Sequence, residues 1–261
     1  GQRAPGQFGL DRLSLESGIV TASGRIEARL DQNQLEGRIE VVAADLARAS
    51  GLAGQPLGGR VTLGLDAEGT FNEPRFQLDV DGSGISAGEL GLESLSLALG
   101  ADLLGPLNEP FAGAAVEGTG SITGLTQAGE PLRPEDSLTL NLAAVVPMEG
   151  EARVERLQLA GQHVDLSGTA TVTMPELAGT ARLDAQVPSI EALLAALGPD
   201  APPDLAATGA VELGADITLA AELEQIAVDL DLRGQGLGGL PDQLDQLIGA
   251  SPSVTSTVTL R

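Results

Sequence analysis

The chain has 261 residues, of which 42% are hydrophobic and only 2% aromatic, with no Trp and no Tyr. Its formal net charge of −23 comes from 37 acidic residues against 14 basic ones, all arginine, and repulsion from phosphate backbones argues against nucleic acid as a partner. The absence of cysteine excludes disulfides, thiolate metal sites and cysteine nucleophiles. The sequence begins GQRAPG, without Met or a signal peptide, and is expected to be a piece of a longer protein.

Alternation of apolar and polar residues is the dominant pattern along the chain. It runs through VTLGLDAEG (61–69), RFQLDVDGSG (75–84), ESLSLALG (93–100), SLTLNLAA (137–144) and AVDLDLRG (227–234). A period of two places Leu, Val, Ile or Phe on one face of a strand and polar residues on the other. The pattern therefore predicts half-buried antiparallel strands joined by Gly-rich and Asx-rich hairpin turns.

Apolar spacing of three and four residues predicts three short helices, near 43–50, 189–197 and 241–248. The corresponding segments each end at glycine, and the second and third have proline at or near the start, which suits a helix N-terminus. Helices this short leave most of the strand surface uncovered. The strands must then form a sandwich, a closed barrel or an open curled trough.

The segment RLSLESGIVTASG (12–24) recurs 144 residues later as RLQLAGQHVDLSG (156–168), with six of thirteen positions identical. This repeat predicts a first group of strand repeats over 1–155 and a second, partial group over 156–261, within one continuous elongated domain. Repeats at variable spacing favour extension over closure. The expected fold class is mainly β, an elongated curled antiparallel sheet with a few short helices.

Two motifs raise the question of catalysis or nucleotide binding. GISAG (84–88) matches a nucleophile elbow around Ser86, but strand-like sequence follows it, and the only histidine, His163, has Ile19 as its counterpart in the repeat. GQGLGG (234–239) matches a phosphate loop, but the acidic residue expected after a second strand is missing. A hairpin turn explains GISAG better than a nucleophile elbow does, and a plain loop explains GQGLGG better than a phosphate-binding loop does.

A third motif, DVDGSG (79–84), begins like a calcium loop, but Leu90 stands where a bidentate Glu is required. The polar face of a strand running into a glycine turn explains it better. We expect no catalytic residue, no cofactor and no metal site, and the protein is not expected to be an enzyme.

Four segments resemble the periplasmic β-repeat region of the TamB family, within the AsmA-like superfamily. They are LEGRIEVVAADLARASGLAG (35–54), VTLGLDAEGTFNEPRFQLDVDGSG (61–84), LSGTATV (166–172) and LAGTARLDAQVPSIEALLAALG (177–198). The most typical is the second, in which a strand closed by GT leads through an EP turn into the next strand. The resemblance covers most of the chain.

The resemblance implies an internal segment of a protein anchored in the inner membrane, with a curled sheet (a β-taco) that reaches across the periplasm. It implies an apolar groove that carries phospholipid acyl chains between the inner and outer membranes. It also implies partnership with a TamA-like outer-membrane barrel in outer-membrane biogenesis and protein assembly, through other parts of the full chain.

The residues themselves favour the same groove, since small aliphatic side chains leave a trough open to acyl chains while the acidic face keeps the sheet soluble. The residues predicted to line this groove are Leu13, Leu15, Val20, Ile39, Val41, Val61, Leu63, Leu65, Phe76, Leu78, Val80, Leu95, Leu97, Leu138, Leu140, Leu142, Leu157, Leu159, Val164, Leu166, Leu183, Val211, Leu213, Val228, Leu230 and Leu232. The alternative is a structural or adhesive surface β-repeat, a solenoid or stalk with a filled core. An enzyme on a β-sandwich scaffold ranks third.

Overall fold

A computed structural model describes residues 7–107, 111–132, 136–174, 176–197, 206–220, 225–239 and 249–260. The fold is mainly β. Its strands are β1 (Gln7–Glu16), β2 (Thr21–Arg29), β3 (Gln34–Ala43), β4 (Leu57–Gly69), β5 (Pro74–Ala87), β6 (Leu90–Leu103), β7 (Gly113–Thr123), β8 (Thr126–Gln127), β9 (Glu130–Pro131), β10 (Leu138–Pro147), β11 (Gly150–Ala160), β12 (Asp165–Met174), β13 (Ala178–Val187), β14 (Thr208–Leu219), β15 (Ile226–Gly238) and β16 (Ser253–Leu260).

These strands form one antiparallel sheet that does not close on itself. Along the sheet β1 to β7 follow one another in chain order, and β10 to β16 follow in the same way. The two-residue strands β8 and β9 form a small hairpin that pairs with the start of β6. The expected fold class, a curled antiparallel sheet with few helices, is confirmed.

The chain divides into two compact units. Unit 1 consists of Gly1–Pro131 and Asn141–Met148, and unit 2 consists of Leu132–Leu140 and Glu149–Arg261. Strands β1 to β7 belong to unit 1, and β11 to β16 belong to unit 2. The expected grouping into 1–155 and 156–261, within one continuous domain, stays a prediction.

The first predicted helix begins slightly later than expected and is mostly a tight turn. It consists of a 3₁₀ helix, Leu46–Ala49, followed by the single α-helical turn α1, Ser50–Ala53. The Asp45 side chain caps its start by accepting a hydrogen bond from the Ala47 backbone N–H at 3.0 Å. It ends at Gly54 in the left-handed conformation, φ 70°.

The second predicted helix is confirmed as α2, Ile190–Leu197. Ser189 precedes it and accepts a hydrogen bond from the Ala192 N–H at 3.1 Å. Both helices lie in equivalent connections, since the first joins β3 to β4 and α2 joins β13 to β14. The third predicted helix, near 241–248, lies outside the described residues.

The sequence repeat is also a repeat of backbone geometry. In the β1–β2 hairpin the Ser17 N–H donates to the Val20 carbonyl at 2.9 Å, and in the β11–β12 hairpin Gly161 donates to Val164 at 2.9 Å. Both hairpins carry a register shift at the same place, between residues 10 and 13 and between residues 154 and 157. The 144-residue spacing therefore reproduces both the turn and the bulge.

The glycine that closes each repeated segment lies where the next strand approaches closely. A Cβ atom added at Gly24 would lie 2.5 Å from the carbonyl oxygen of Arg38 in β3. At Gly168 it would lie 3.0 Å from the equivalent carbonyl of Arg182 in β13 and 2.6 Å from Leu183 Cδ2. Close packing of a neighbouring strand explains why both copies have glycine here.

We predict that Gly24→Ala and Gly168→Ala each lower the free energy of unfolding by about 1–3 kcal/mol, because the added methyl group displaces the adjacent strand. Urea denaturation of the whole chain measures the loss. Gly18→Ala is the control, since no atom lies within 4 Å of the Cβ that it would add. An equal loss in all three variants would contradict the role of close strand approach.

Candidate functional site: the apolar sheet faces

The register of unit 1 gathers apolar side chains on one face of the sheet, because directly opposed residues of paired strands point to the same side. We call this surface the apolar face of unit 1. Its four rows are Leu15, Ala22, Val41, Leu63, Val80, Leu97 and Gly120; Leu13, Gly24, Ile39, Leu65, Leu78, Leu99 and Gly118; Ile26, Gly37, Ala67, Phe76, Ala101 and Val116; and Ala43, Val61, Gly82, Leu95 and Ile122.

Unit 2 builds a second surface of the same kind, the apolar face of unit 2, from β11 to β16. Its rows are Leu159, Leu166, Ala185, Leu213, Leu232 and Val254; Leu157, Gly168, Leu183, Ala215, Leu230 and Ser256; Val154, Ala170, Ala181, Ile217, Val228 and Val258; and Ala152, Val172, Gly179, Leu219 and Ile226. One side chain in these rows, Ser256, is polar.

The described residues form no core of large apolar side chains. Their only buried side chains are the small ones of Ala143 and Ala207, at 6% and 4% exposure, and that of Pro74. Within the rows, Leu213 and Leu232 remain 40% and 39% exposed. A large contiguous apolar surface is unusual on a protein that functions alone and marks a binding site.

The two faces have an almost entirely aliphatic composition. Phe76 is the single aromatic residue in the rows, and the rest are aliphatic residues, glycine and one serine. Flexible aliphatic side chains spread over the glycines, as at Gly118, where an added Cβ would lie 2.5 Å from Leu99 Cδ2. Such a surface offers dispersion contacts and almost no hydrogen bonds, which suits a hydrocarbon ligand.

The opposite face of each unit carries the charged residues. Arg38 pairs with Asp66 at 3.5 Å, and the equivalent Arg182 pairs with Asp216 at 2.8 Å. Arg182 also pairs with Asp184 at 2.8 Å, and the hydrogen bonds that its guanidinium group donates to Asp184 and Asp216 raise the pKa of that group. These pairs are solvent-exposed and contribute little to stability. They keep this face soluble.

Three arginines, Arg12, Arg25 and Arg38, line a surface cavity of about 670 Å³. Its positive charge is largely compensated by carboxylates. Arg25 pairs with Glu36 at 3.0 Å, Arg38 pairs with Asp66, and Glu40 lies in the cavity wall. The cavity is therefore a weaker candidate for ligand binding than the apolar faces.

Most of the residues predicted to line a groove lie on the two apolar faces. Val20 and Val164 instead lie in the hairpin turns, and Leu138, Leu140 and Leu142 lie in β10. Val211 lies opposite Val187 and Gly234, on the apolar face of unit 2. Lipid contact by any of these residues stays a prediction.

Sequence reasoning missed several members of the rows. Leu99, Ile217 and Ile226 follow the period of two and could have been found by extending each strand to its end. The glycines, such as Gly118 and Gly168, have no hydrophobic signal, and only the strand register places them on the apolar faces.

The catalytic and ligand-loop motifs lie in ordinary strands and turns. Ser86 lies in β5, which leads through a hairpin turn into β6 rather than into a helix. His163 lies in the turn between β11 and β12, and Asp79 and Asp81 lie within β5. Gly234 to Gly238 form the end of β15.

The described residues contain no group of three or more His, Cys, Asp or Glu side chains placed to hold a metal ion. Among their helices, none has the length and apolar character needed to cross a membrane. Comparison with known proteins found no matching family model, no similar curated protein and no similar solved structure.

We predict that Leu213→Ala and Leu232→Ala each cost less than about 2 kcal/mol of unfolding free energy, below the 2–5 kcal/mol typical of a buried leucine. Both side chains are already partly in water, so their removal leaves no sealed cavity. Urea denaturation checks this, with the exposed Gln186→Ala on the opposite face as control. Losses above about 3 kcal/mol would indicate a filled core.

Proposed function

We propose that the apolar faces bind the acyl chains of phospholipids, and that this segment forms part of a path for lipid between the inner and outer membranes. The observation that carries the proposal is the set of aliphatic rows left uncovered in both units. The proposed setting is the periplasm, where such transport supports outer-membrane biogenesis and protein assembly.

The energetics of transfer support an acyl chain as the ligand. Each methylene group removed from water contributes about 0.8 kcal/mol, so partial burial of one chain along a row offsets the cost of holding the lipid. The rows contain almost no polar side chain that would select a headgroup. Headgroups therefore remain in water, and the proposal specifies hydrocarbon rather than one lipid species.

The net charge of −23 supports the binding of single lipids over adsorption to a bilayer. A strongly negative protein is repelled from anionic membrane surfaces over roughly the Debye length, about 8–10 Å. Acyl chains bound to an aliphatic row are not subject to this repulsion, because the charged side chains lie on the opposite face.

The alternative function, a structural or adhesive β-repeat, requires a filled core. Side chains of facing layers would then be packed to the density of a protein interior. Among the described residues, only the side chains of Ala143, Ala207 and Pro74 are buried. This observation favours the lipid-binding function. The proposal assigns no contact with a TamA-like barrel to these residues.

Photo-crosslinking tests the proposal directly. A benzophenone amino acid at Leu78 or Leu230, on the apolar faces, should capture phospholipid in cells and in the purified chain. The adjacent positions Gln77 and Asp229 are the matched controls, since their side chains point to the opposite face. Equal labelling at the apolar-face positions and at the control positions would overturn the proposal.

A charge introduced on an apolar face should block binding. We expect Leu78→Arg to reduce at least tenfold the phospholipid captured by a crosslinker at the opposed Leu65, and Leu230→Arg to do the same for a crosslinker at Leu213. Asp229→Arg, on the opposite face, should leave capture unchanged. Circular dichroism establishes that each variant keeps its β structure. Capture that survives both leucine substitutions would contradict the proposal.

A further inference from the structure

A glycine-containing β-bulge recurs at equivalent places in the two units. In unit 1 it lies in β5, where Gly84 has the left-handed conformation, φ 56°, and in unit 2 it lies in β15, where Gly236 has φ 61°. The pairing with the preceding strand shifts register at both points, between residues 58 and 60 of β4 and between residues 208 and 210 of β14. The extra residue at such a bulge changes the direction of the side chains that follow it.

The paired strand has a glycine of its own at each bulge. A Cβ atom added at Gly59 of β4, φ 96°, would lie 2.4 Å from the carbonyl oxygen of Gly84. At Gly209 of β14, φ 104°, it would lie 2.6 Å from the carbonyl oxygen of Gly236. The two bulges therefore have the same construction, and the segments GSGI (82–85) and GQGL (234–237) share the same spacing because of it.

Each bulge directs one aliphatic side chain onto the apolar face of its unit. Strict alternation places residues three apart on opposite faces, but the extra residue brings Ile85 to the same face as Gly82. A Cβ atom added at Gly82 would lie 2.4 Å from Ile85 Cδ1, so the Ile85 side chain lies over this glycine. Leu237 lies over Gly234 in the same way, since the added Cβ atom would lie 2.5 Å from Leu237 Cδ1.

Both bulges lie where the strand approaches a helical connection. The first residue of β4, the strand after the first helix, pairs with Ala87 just beyond one bulge. The first residue of β14, the strand after α2, pairs with Gly238 just beyond the other bulge. Ile85 and Leu237 therefore occupy the same border of their respective apolar faces.

The apolar part of β5 before this border has the length of an acyl chain. Its inward positions run from Phe76 through Leu78 and Val80 to Gly82, a distance of about 20 Å at ~3.3 Å per residue. The hydrocarbon of one bilayer leaflet is about 15 Å thick, half of a core of about 30 Å. A single acyl chain therefore fits along β5 up to the side chain of Ile85.

We propose that Ile85 and Leu237 select the length of the bound acyl chain, which lies along β5 or β15 with its terminal methyl group against the side chain at the bulge. This role rests on the proposed lipid-binding function, and it adds the orientation of the ligand and its selectivity. Methylene groups that lie before the bulge contact the aliphatic rows. Ile85 or Leu237 holds any further methylene groups away from the sheet, so they gain little.

Chain-length profiles test this selectivity. Vesicles of phosphatidylcholine with two identical saturated chains, of twelve to eighteen carbons, are offered to the whole chain with a benzophenone amino acid at Leu78 or Leu230. The ratio of capture by Ile85→Ala to capture by the unmodified chain cancels differences among the vesicles. At Leu78 this ratio should rise about fourfold from the shortest to the longest lipid, the gain from seating one further methylene group. At Leu230 it should stay constant, and Leu237→Ala should show the reverse.

Two variants separate selectivity from a loss of packing. Ile85→Leu keeps a large aliphatic side chain at the bulge and should give a ratio that does not depend on chain length. Leu97→Ala, in a neighbouring row, should lower the capture of every lipid by the same factor. A ratio independent of chain length in both Ile85→Ala and Leu237→Ala would overturn the selectivity and leave the lipid-binding function standing. No capture of any phosphatidylcholine by the unmodified chain would overturn both.

The orientation of the acyl chain can be measured on the unmodified chain, without any variant. A phosphatidylcholine with a diazirine at the terminal carbon of its acyl chain should label the segments around Ile85 and Leu237. The same lipid with the diazirine next to the ester should label the segments around Phe76 and Val228, and mass spectrometry locates the labels. Equal labelling of these segments by both probes, or the reverse order, would overturn the proposal.

Discussion

The register of the antiparallel strands is the constraint on which this structure depends. Side chains alternate between faces with a period of two, so a slip of one residue would move every leucine of a strand to the charged face. The short turns limit such slips, and the bulges near Arg12 and Arg156 recur at the same place in both copies of the repeat. With the register set, each unit acquires one aliphatic face and one charged face.

This architecture distributes stability along strand pairs rather than concentrating it in a core. Backbone hydrogen bonds and contacts between neighbouring aliphatic side chains take the place of a buried interior. Close strand approach at Gly24 and Gly168 belongs to the same arrangement, because the carbonyl of the next strand occupies the space that a side chain would need. Aliphatic surface left uncovered is available for binding.

The two faces of the sheet differ in the contacts that they can make. Acyl chains would bind the aliphatic rows, where hydrogen bonding is almost absent. The exposed ion pairs, such as that of Arg182 with Asp216, contribute little stability and maintain solubility.

The sequence by itself determined the strand-rich fold and the helix at 190–197. It also determined that residues such as Leu78 and Leu230 share one face of their strand with the other apolar residues at every second position. These features follow from local periodicity and capping. It also revealed the repeat. Only the tertiary structure decided which leucines lie side by side and that glycines such as Gly118 and Gly168 belong to the apolar rows. These features arise from contacts between strands distant in the sequence, which local patterns do not encode.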